Sequence, residues 1–260
     1  MYTRKIASIA IAAGLSLGGA AIANATQAEN PQIPEIEWDT SLVKFQFDSD
    51  KFIGQRFSAT CPELTLGKLD ESTVYGTDAY PSDNALCVAA LHAGQIDENG
   101  GTFTVQLNPG AESYVGTARN GVTTASLPAT ERSFVFIDET TFAAANEIRE
   151  QYIPRLKWDT KFTKTGFAYK QMLGQRFTFK CPAAPNNLRP RRVVGTDSYD
   201  FKAIVCRAAV HAGALTLEGG FVDVQMDPGN KKLVGSIRNG IETKNGPSGI
   251  RSISFVDSPV

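Results

Sequence analysis

The chain contains the stretch Val74-Tyr-Gly-Thr-Asp-Ala-Tyr80, followed after six residues by Cys87-Val-Ala-Ala-Leu-His-Ala-Gly94. A second copy reads Val194-Gly-Thr-Asp-Ser-Tyr199, followed after six residues by Cys206-Arg-Ala-Ala-Val-His-Ala-Gly213. Both copies fit one pattern, G-T-D-x-Y-x6-C-x-A-A-x-H-A-G. So many fixed positions at one spacing, twice in 260 residues, indicate an internal duplication.

The second half of this motif predicts a short buried helix in each copy. The segment 86–91 has no polar side chain, and the copy at 204–210 has only Arg207. A helix that is apolar on all sides is a buried helix. Candidate caps flank both helices, with Ser82, Asp83 and Asp200 at the N-termini and Gly94 and Gly213 at the C-termini.

The duplication extends well beyond the motif. Segment 33–40 matches 153–160, 54–62 matches 174–182, and 115–122 matches 234–241. The offset is 120 residues early in the repeat and 119 later, so one deletion separates the copies. We therefore predict domain 1 at 33–138, a helical connector at 139–152, with Thr140 or Thr141 as its cap and Pro154 as its stop, and domain 2 at 153–260.

The remaining segments of each repeat have the pattern of strands. Residues 103–107 and 222–226 alternate apolar and polar side chains, between Gly-Gly pairs and Pro-Gly pairs. Asn120-Gly121 and Asn239-Gly240 are candidates for two-residue turns. The predicted class is α+β, with mostly antiparallel strands around one central buried helix per repeat.

The N-terminus has the features of an export signal. Arg4 and Lys5 precede an apolar run, and Ala23-Asn24-Ala25 is a candidate cleavage site. We predict a signal peptide at 1–25, with cleavage as late as residue 28, and an exported protein, secreted or periplasmic. A retained membrane anchor is the alternative for this segment. The mature sequence contains no apolar run long enough for a transmembrane span.

Each repeat contains two cysteines in the same order. In an oxidising compartment this predicts the disulfides Cys61–Cys87 and Cys181–Cys206, although two other pairings are formally possible. Two histidines and no C-x-x-C argue against zinc, and no metal or cofactor is predicted. Glu63, Asp70 and Glu71, or Asp97 and Glu98, are candidate oxygen ligands for calcium, but these acids lack EF-hand spacing and are mostly missing from the second repeat.

The repeated residues resemble the LCCL domain, and the likeness covers nearly the whole mature chain in two copies. The A-A-x-H-A-G core, the Gly100-Gly101 and Pro109-Gly110 pairs and Arg119-Asn120-Gly121 all look like that family. The resemblance implies strands around a central helix in a non-catalytic extracellular module, associated with bacterial surface polysaccharide or lipid and with matrix assembly. Better-known members have a second cysteine after Cys-Pro that this chain lacks, so the bridge to the helix is expected to use Cys61 and Cys181.

The two histidines are the obvious candidates for catalysis. The structural interpretation places His92 and His211 at the end of the buried helix, bonded to backbone or to Asp78 and Asp197. No G-x-S-x-G motif supports a hydrolase, so an enzyme of unrecognised type is the third-ranked hypothesis. We assign a structural role to the motif residues, namely Gly76, Asp78, Tyr80, His92, Gly94, Gly195, Asp197, Tyr199, His211 and Gly213.

Two further features could serve a ligand. Arg119 with Asn120, and Arg238 with Asn239, form either a hairpin turn with a paired arginine or a sugar-binding tip. One tryptophan per repeat, at positions 38 and 158, could stack on a sugar but is more often a core residue at a strand start.

Charge divides the chain sharply. Residues 29–138 contain 6 Lys and Arg against 16 Asp and Glu, a net charge of −10, whereas residues 139–260 contain 18 against 11, a net charge of +7. Our main hypothesis is a non-catalytic module that binds an anionic envelope glycan or lipid such as lipopolysaccharide. The alternative is protein–protein assembly, with the acidic repeat against the basic one. Nucleic acid is not an expected partner. The candidate ligand residues are Arg189, Arg191, Arg192, Lys231 and Lys232.

Overall fold

A computed structural model describes residues 33–65, 67, 69, 73–168, 172–187, 192–247 and 249–256. The predicted signal peptide lies outside these residues. The helices are α1 (Leu86–Ala93), α2 (Phe142–Tyr152) and α3 (Val205–Ala212). The first repeat contains β1 (Arg56–Cys61), β2 (Ala79–Pro81), β3 (Gly101–Pro109), β4 (Ser113–Tyr114), β5 (Ala118–Arg119), β6 (Val122–Thr123), β7 (Leu127–Pro128) and β8 (Arg132–Phe136). The second contains β9 (Arg176–Cys181), β10 (Gly195–Thr196), β11 (Ser198–Asp200), β12 (Gly220–Pro228), β13 (Ile237–Arg238), β14 (Ile241–Glu242) and β15 (Arg251–Val256).

Each repeat is built on one antiparallel sheet. The strand order is β1-β3-β8-β2 in repeat 1 and β9-β12-β15-β11-β10 in repeat 2. The long strands β3 and β12 are central because their alternating apolar side chains, such as Val105 and Val224, point into the core. The α+β class and the two-repeat organisation are confirmed.

One buried helix packs on each sheet. Every residue of α1 from Leu86 to His92 is buried, as is every residue of α3 from Val205 to His211. The charged Arg207 is tolerated inside because its Nε donates to Asp159 Oδ1 at 3.2 Å. The repeated apolar segment therefore forms the central helix, as the sequence predicts.

The helix N-termini are capped differently from the prediction. Leu86 N–H donates to the Thr40 carbonyl at 2.8 Å, and Val205 N–H donates to the Thr160 carbonyl at 3.0 Å. The turn after each tryptophan supplies a backbone acceptor, so no side chain is needed. The caps proposed at Ser82, Asp83 and Asp200 are wrong, since neither helix has a side-chain cap hydrogen bond.

The C-terminal caps and the disulfides are confirmed. Gly94 has a φ of 73° and Gly213 a φ of 84°, the left-handed conformation in which glycine meets no Cβ penalty. The bridges are Cys61–Cys87 and Cys181–Cys206, with Cα–Cα separations of 5.8 and 5.7 Å. Each bridge ties the last residue of an outer strand to the buried helix.

Two glutamine side chains join the repeats. Gln55 Nε2 donates to the Thr178 carbonyl and Gln55 Oε1 accepts from Thr178 N–H, both at 2.9 Å. Gln175 makes the same pair of bonds with Ser58, both at 3.1 Å. Each partner lies 120 positions from its equivalent, so the interface has an approximate two-fold symmetry. Its paired polar contacts are uncharged amides rather than opposite charges.

The connector helix α2 contacts both repeats. Gln106 Nε2, on β3, donates to the Ala145 carbonyl at 2.7 Å. On the other side, Arg149 Nη2 forms an ion pair with Asp223 Oδ1 of β12 at 2.7 Å, and both side chains are largely buried. Among described residues, direct ion pairs otherwise stay within one repeat. The helix therefore fixes the repeats together.

The start of α2 is held by Asp138 rather than by a threonine side chain. Asp138 Oδ1 accepts the N–H groups of Thr140 and Thr141 at 2.9 and 3.0 Å. Thr141 occupies the N-cap position, but its hydroxyl makes no cap hydrogen bond. The bonds to Asp138, led by that from the Thr140 hydroxyl, lower the pKa of its carboxyl to about 2. The helix ends at Tyr152, shortly before Pro154, as predicted.

Candidate ligand-binding surface

Each repeat carries a two-stranded ribbon beside its helix. In repeat 2 the pairs run from Leu233 with Gly246 at the base to Arg238 with Ile241 at the tip. In repeat 1, β4 pairs with β7 and β5 with β6 in the same register. The Asn-Gly pair predicted to turn does so, with φ of 50° and 74° at Asn239 and Gly240.

The side chains at the ribbon tip are bonded to the motif. Arg238 Nη1 donates to Asp197 Oδ1 at 2.5 Å, and Asn239 Nδ2 donates to the Val210 carbonyl at 2.9 Å. In repeat 1 the equivalent arginine bond joins Arg119 to Asp78 at 2.6 Å, and Asn120 Nδ2 donates to the His92 carbonyl at 3.1 Å, one residue further along the helix than the Val210 carbonyl. These contacts favour the paired-turn interpretation over a sugar-binding tip, because both polar groups already have protein partners.

The glycines of the motif are required by a tight turn. Asp78 and Asp197 adopt left-handed φ values of 63° and 60°, and Gly76 and Gly195 adopt φ of 90° and 107°. A Cβ on Gly76 would overlap the Ala79 carbonyl oxygen, and the equivalent overlap occurs in repeat 2. The G-T-D-x-Y half of the motif therefore encodes a backbone shape, which aims the tyrosine at the helix.

The histidines are bonded to tyrosines, so the predicted bonds to Asp78 and Asp197 are wrong. In repeat 1, Tyr80 Oη lies 2.8 Å from His92 Nδ1, and Thr117 Oγ1 lies 3.2 Å from His92 Nε2. Both aspartates are exposed and bond the tip arginines instead. The sequence signal for this pair was the constant spacing of 12 residues between the tyrosine and the histidine in both repeats.

In repeat 2 a serine replaces the threonine, which gives a chain of Ser236, His211 and Tyr199. Ser236 Oγ is 3.1 Å from His211 Nε2, and Tyr199 Oη is 2.7 Å from His211 Nδ1. In a hydrolase triad the third group is a carboxylate that stabilises imidazolium. Here burial raises the pKa of Tyr199 to about 12, so it stays neutral, and burial lowers the pKa of His211. These three hydrogen-bonded side chains are suited to packing in the core rather than to activating Ser236 as a nucleophile.

The structure brings several candidate basic residues to the base of the repeat 2 ribbon. Lys244 N–H donates to the Val193 carbonyl at 2.8 Å, which places the Arg192 segment along one side of 244–246. Leu233 N–H donates to the Gly246 carbonyl at 2.8 Å, which places Lys231 and Lys232 at the other side. Arg192, Lys231 and Lys232 are all exposed, whereas Arg189 and Arg191 lie outside the described residues.

The equivalent surface of repeat 1 carries no cation at these positions. The matching hydrogen bonds join Ala125 N–H to the Val74 carbonyl and Gly76 N–H to the Ala125 carbonyl. This register makes Thr73, Glu112, Ser113 and Ala125 the counterparts of Arg192, Lys231, Lys232 and Lys244. The repeats share this scaffold, and the base of the ribbon is one of the places where their charge differs.

Other candidate residues are placed elsewhere. Trp38 and Trp158 are 4% and 7% exposed, so they belong to the core and do not offer a stacking surface. Of the candidate calcium ligands, Asp70 and Glu71 lie outside the described residues. Within the described part of the chain, no three potential ligands cluster as a metal site would require. In the same part of the chain, no helix combines the length and apolar character needed to cross a membrane.

The fold and its bridges define a tandem of two disulfide-bonded α+β modules. The profile of the LCCL domain matches residues 36–134 and 156–253. The chain therefore belongs to the LCCL domain family.

Named relatives are longer proteins. The chain is 31% identical over 193 residues to Cysteine-rich secretory protein LCCL domain-containing 1 of Homo sapiens, which is 72% of this chain and 36% of that relative. It is 35% identical over 107 residues to vitrin of Homo sapiens, 41% of this chain and 14% of vitrin. Clotting factor C of Tachypleus tridentatus is 32% identical over 105 residues, 39% of this chain and 9% of that protein. The chain therefore spans only about a third of the length of the first of these relatives.

Proposed function

We propose that this protein is an exported, non-catalytic binding module whose repeat 2 binds an anionic glycan or lipid of the cell envelope, such as lipopolysaccharide. The observation that carries the proposal is the basic cluster at the ribbon base, formed by Arg192, Lys231 and Lys232 with Lys244 between them. Adjacent exposed cations attract phosphate, sulfate and carboxylate groups. Arg189 and Arg191 precede Arg192 in sequence and add charge to the same segment.

The direct hydrogen bonds between the sheets of the two repeats support this proposal, because they come from amide side chains and do not use the basic cluster. Opposite net charges would be accounted for if the acidic repeat docked on the basic one through ion pairs. Instead the paired contacts come from Gln55 and Gln175. The basic cluster is exposed and remains available to a ligand.

The test is capture of immobilised lipopolysaccharide and of envelope fractions by purified oxidised protein. One variant reverses charge at Arg189, Arg191, Arg192, Lys231 and Lys232. A control with the same net charge reverses five exposed cations of repeat 2 elsewhere, namely Arg155, Lys157, Lys161, Lys164 and Lys202. We expect loss of capture in the first and retention in the second, with capture weakened by salt. Equal capture by wild type and the cluster variant would refute the proposal.

A second candidate function is assembly between molecules, with acidic repeat 1 of one copy on basic repeat 2 of another. The charge division supports it, since the interface inside the chain leaves both charged surfaces exposed. Sedimentation velocity over a range of concentrations distinguishes the two. Assembly predicts oligomers at low salt that dissociate at high salt, whereas ligand capture predicts a monomer at both.

Export is part of the proposal. The two disulfides suit an oxidising compartment, and one relative is named as a secretory protein. N-terminal sequencing of the exported protein should begin at Thr26, or at Glu29 for cleavage at the later site. A protein that retains residue 1 and stays in the cytoplasm would contradict this.

A further inference from the structure

We infer that the outer face of the repeat 2 ribbon, here called the ribbon face, binds the surface of an anionic lipid bilayer, with Ile237 entering the lipid. The inference rests on the proposed function, because it names a lipid surface as the ligand of the basic cluster. The ribbon face consists of Ile237, Glu242 and Lys244, with Arg192 at its base.

Ile237 is a large aliphatic residue that lies mostly in water. It is 74% exposed, second among the large hydrophobic residues of the described chain to Ile250 at 82%, and Val234, three residues earlier, is 59% exposed. A single exposed aliphatic residue is common on protein surfaces. The significance of Ile237 lies in its position beside cations, because surfaces that combine apolar side chains with Lys and Arg bind the interface of anionic membranes.

The apolar and cationic groups share one face. Ile237 pairs with Glu242 across the ribbon, and Lys244 follows two residues later, so both point outward as alternation in a strand requires. Ile237 and Lys244 line one shallow pocket of about 300 Å³. At the base, Arg192 Nη2 lies 3.6 Å from the place that a Cβ on Gly246 would occupy.

The carboxylates near this face are already paired. Glu242 bonds Lys244 across the same strand face, and Asp197 bonds Arg238 at 2.5 Å. These exposed pairs are weak and screened. Each carboxylate is matched by its own cation, so the net positive charge near this face comes from Arg192, Lys231 and Lys232 at the ribbon base. Cations near an anionic bilayer are attracted to it, and each one strengthens binding by roughly fivefold.

Repeat 1 supplies an internal comparison. Its ribbon has the same register, and Val115 is exposed like Val234, but Ala118 stands in place of Ile237 and Ala125 in place of Lys244. The ribbon of repeat 2 therefore differs from its copy by an exposed isoleucine and by the bonded pair Glu242 and Lys244, where repeat 1 has Thr123 and Ala125. The added cations are Arg192, Lys231 and Lys232 at its base. That combination matches a lipid headgroup with acyl chains beneath it.

The experiment measures sedimentation of the mature oxidised protein, beginning at Thr26, with vesicles of phosphatidylcholine and phosphatidylglycerol, and separately binding to soluble dextran sulfate. Ile237→Ala copies the residue of repeat 1 and removes three carbons. We expect vesicle binding to fall by at least about 10-fold, with an upper limit of roughly 50-fold for full insertion. Binding to dextran sulfate should not change. Vesicles of phosphatidylcholine alone should bind weakly.

A second variant reports insertion directly. Ile237→Trp should show a blue shift of tryptophan emission with anionic vesicles and quenching by brominated lipid, while the matched Ala118→Trp control should show neither. Trp38 and Trp158 are buried and give a constant background.

The outcomes separate the two proposals. Unchanged vesicle binding by Ile237→Ala, together with an unshifted Ile237→Trp spectrum, overturns the lipid inference. If dextran sulfate still binds through the basic cluster, the proposed function stands. Binding of neither vesicles nor polyanion by wild type overturns both.

Discussion

Replacing Gln55 by alanine should separate the two repeats energetically. The side chain is 1% exposed and makes two hydrogen bonds to the backbone of Thr178, which is itself buried. Truncation leaves a buried N–H and a buried carbonyl without these partners, and each such group costs about 1–3 kcal/mol. We therefore expect the free energy of unfolding to fall by about 3 kcal/mol.

The equivalent change in the other repeat should cost less. Gln175 makes the same two bonds, but its partner Ser58 is only partly buried, so water can replace part of what is lost. We expect a loss of about 1–2 kcal/mol for Gln175→Ala. The two variants remove the same chemical groups at equivalent positions. A larger loss of stability for Gln55→Ala than for Gln175→Ala therefore tests the effect of partner burial.

The assay uses the one tryptophan in each repeat. In a Trp158→Phe background Trp38 reports urea unfolding of repeat 1, and in a Trp38→Phe background Trp158 reports repeat 2. The two transitions should coincide in the parent proteins and move apart when Gln55 is truncated. Gln151→Ala, at an exposed position of α2, is the control and should change stability by less than about 0.5 kcal/mol. A reversed order, or losses no larger than this control, would refute the argument.

Three further predictions follow from the motif. Replacing Cys61 and Cys87 by serine should lower the free energy of unfolding by about 3.5 kcal/mol, because the bridge closes a loop with a sequence separation of 26. Urea titration with and without reductant checks this, and an unchanged unfolding midpoint would contradict it. Gly76→Ala should lower the melting temperature far more than Gly121→Ala. At Gly76 the φ is 90° and a Cβ would overlap the Ala79 carbonyl, whereas a Cβ at Gly121 meets nothing within 4 Å. Equal changes in melting temperature would argue against the tight turn. Burial lowers the pKa of His92 and His211, so the unfolded state takes up protons at a higher pH than the folded state. Stability should therefore fall as the pH decreases below about 6.5. Thermal melts from pH 8 to 5 should show this, and a His92→Gln, His211→Gln variant should lose most of the dependence of melting temperature on pH.

The helix and the bridges were predictable because each has a local or repeated signal. An apolar segment ending in glycine indicates a buried helix with a left-handed cap, and duplication of one cysteine pair favours a bridge within each repeat, which the structure confirms. The caps at Ser82, Asp83 and Asp200 failed because the real acceptors are the Thr40 and Thr160 carbonyls, which are distant in sequence. Backbone groups brought by tertiary structure leave no mark on local composition.

The pairing of side chains was harder to predict for the same reason. The motif placed Asp78 near His92 in sequence, but a left-handed turn at Asp78 points its carboxylate outward to Arg119. Tyr80, two residues later, reaches the histidine instead. The interface glutamines were visible as repeated Gly-Gln-Arg-Phe segments, yet nothing in one chain distinguishes a repeated core residue from a repeated contact.

The duplication also bears on where function is sought. The residues shared by both repeats, including the histidines, the tyrosines and the tip asparagines, are bonded to one another in both copies. Shared residues therefore account for the scaffold. The ribbon of repeat 2 departs from the shared pattern at exposed positions where packing imposes nothing, and the departures add charge and apolar surface together. A binding role for this chain is thus to be sought first in what its second repeat does not share with its first.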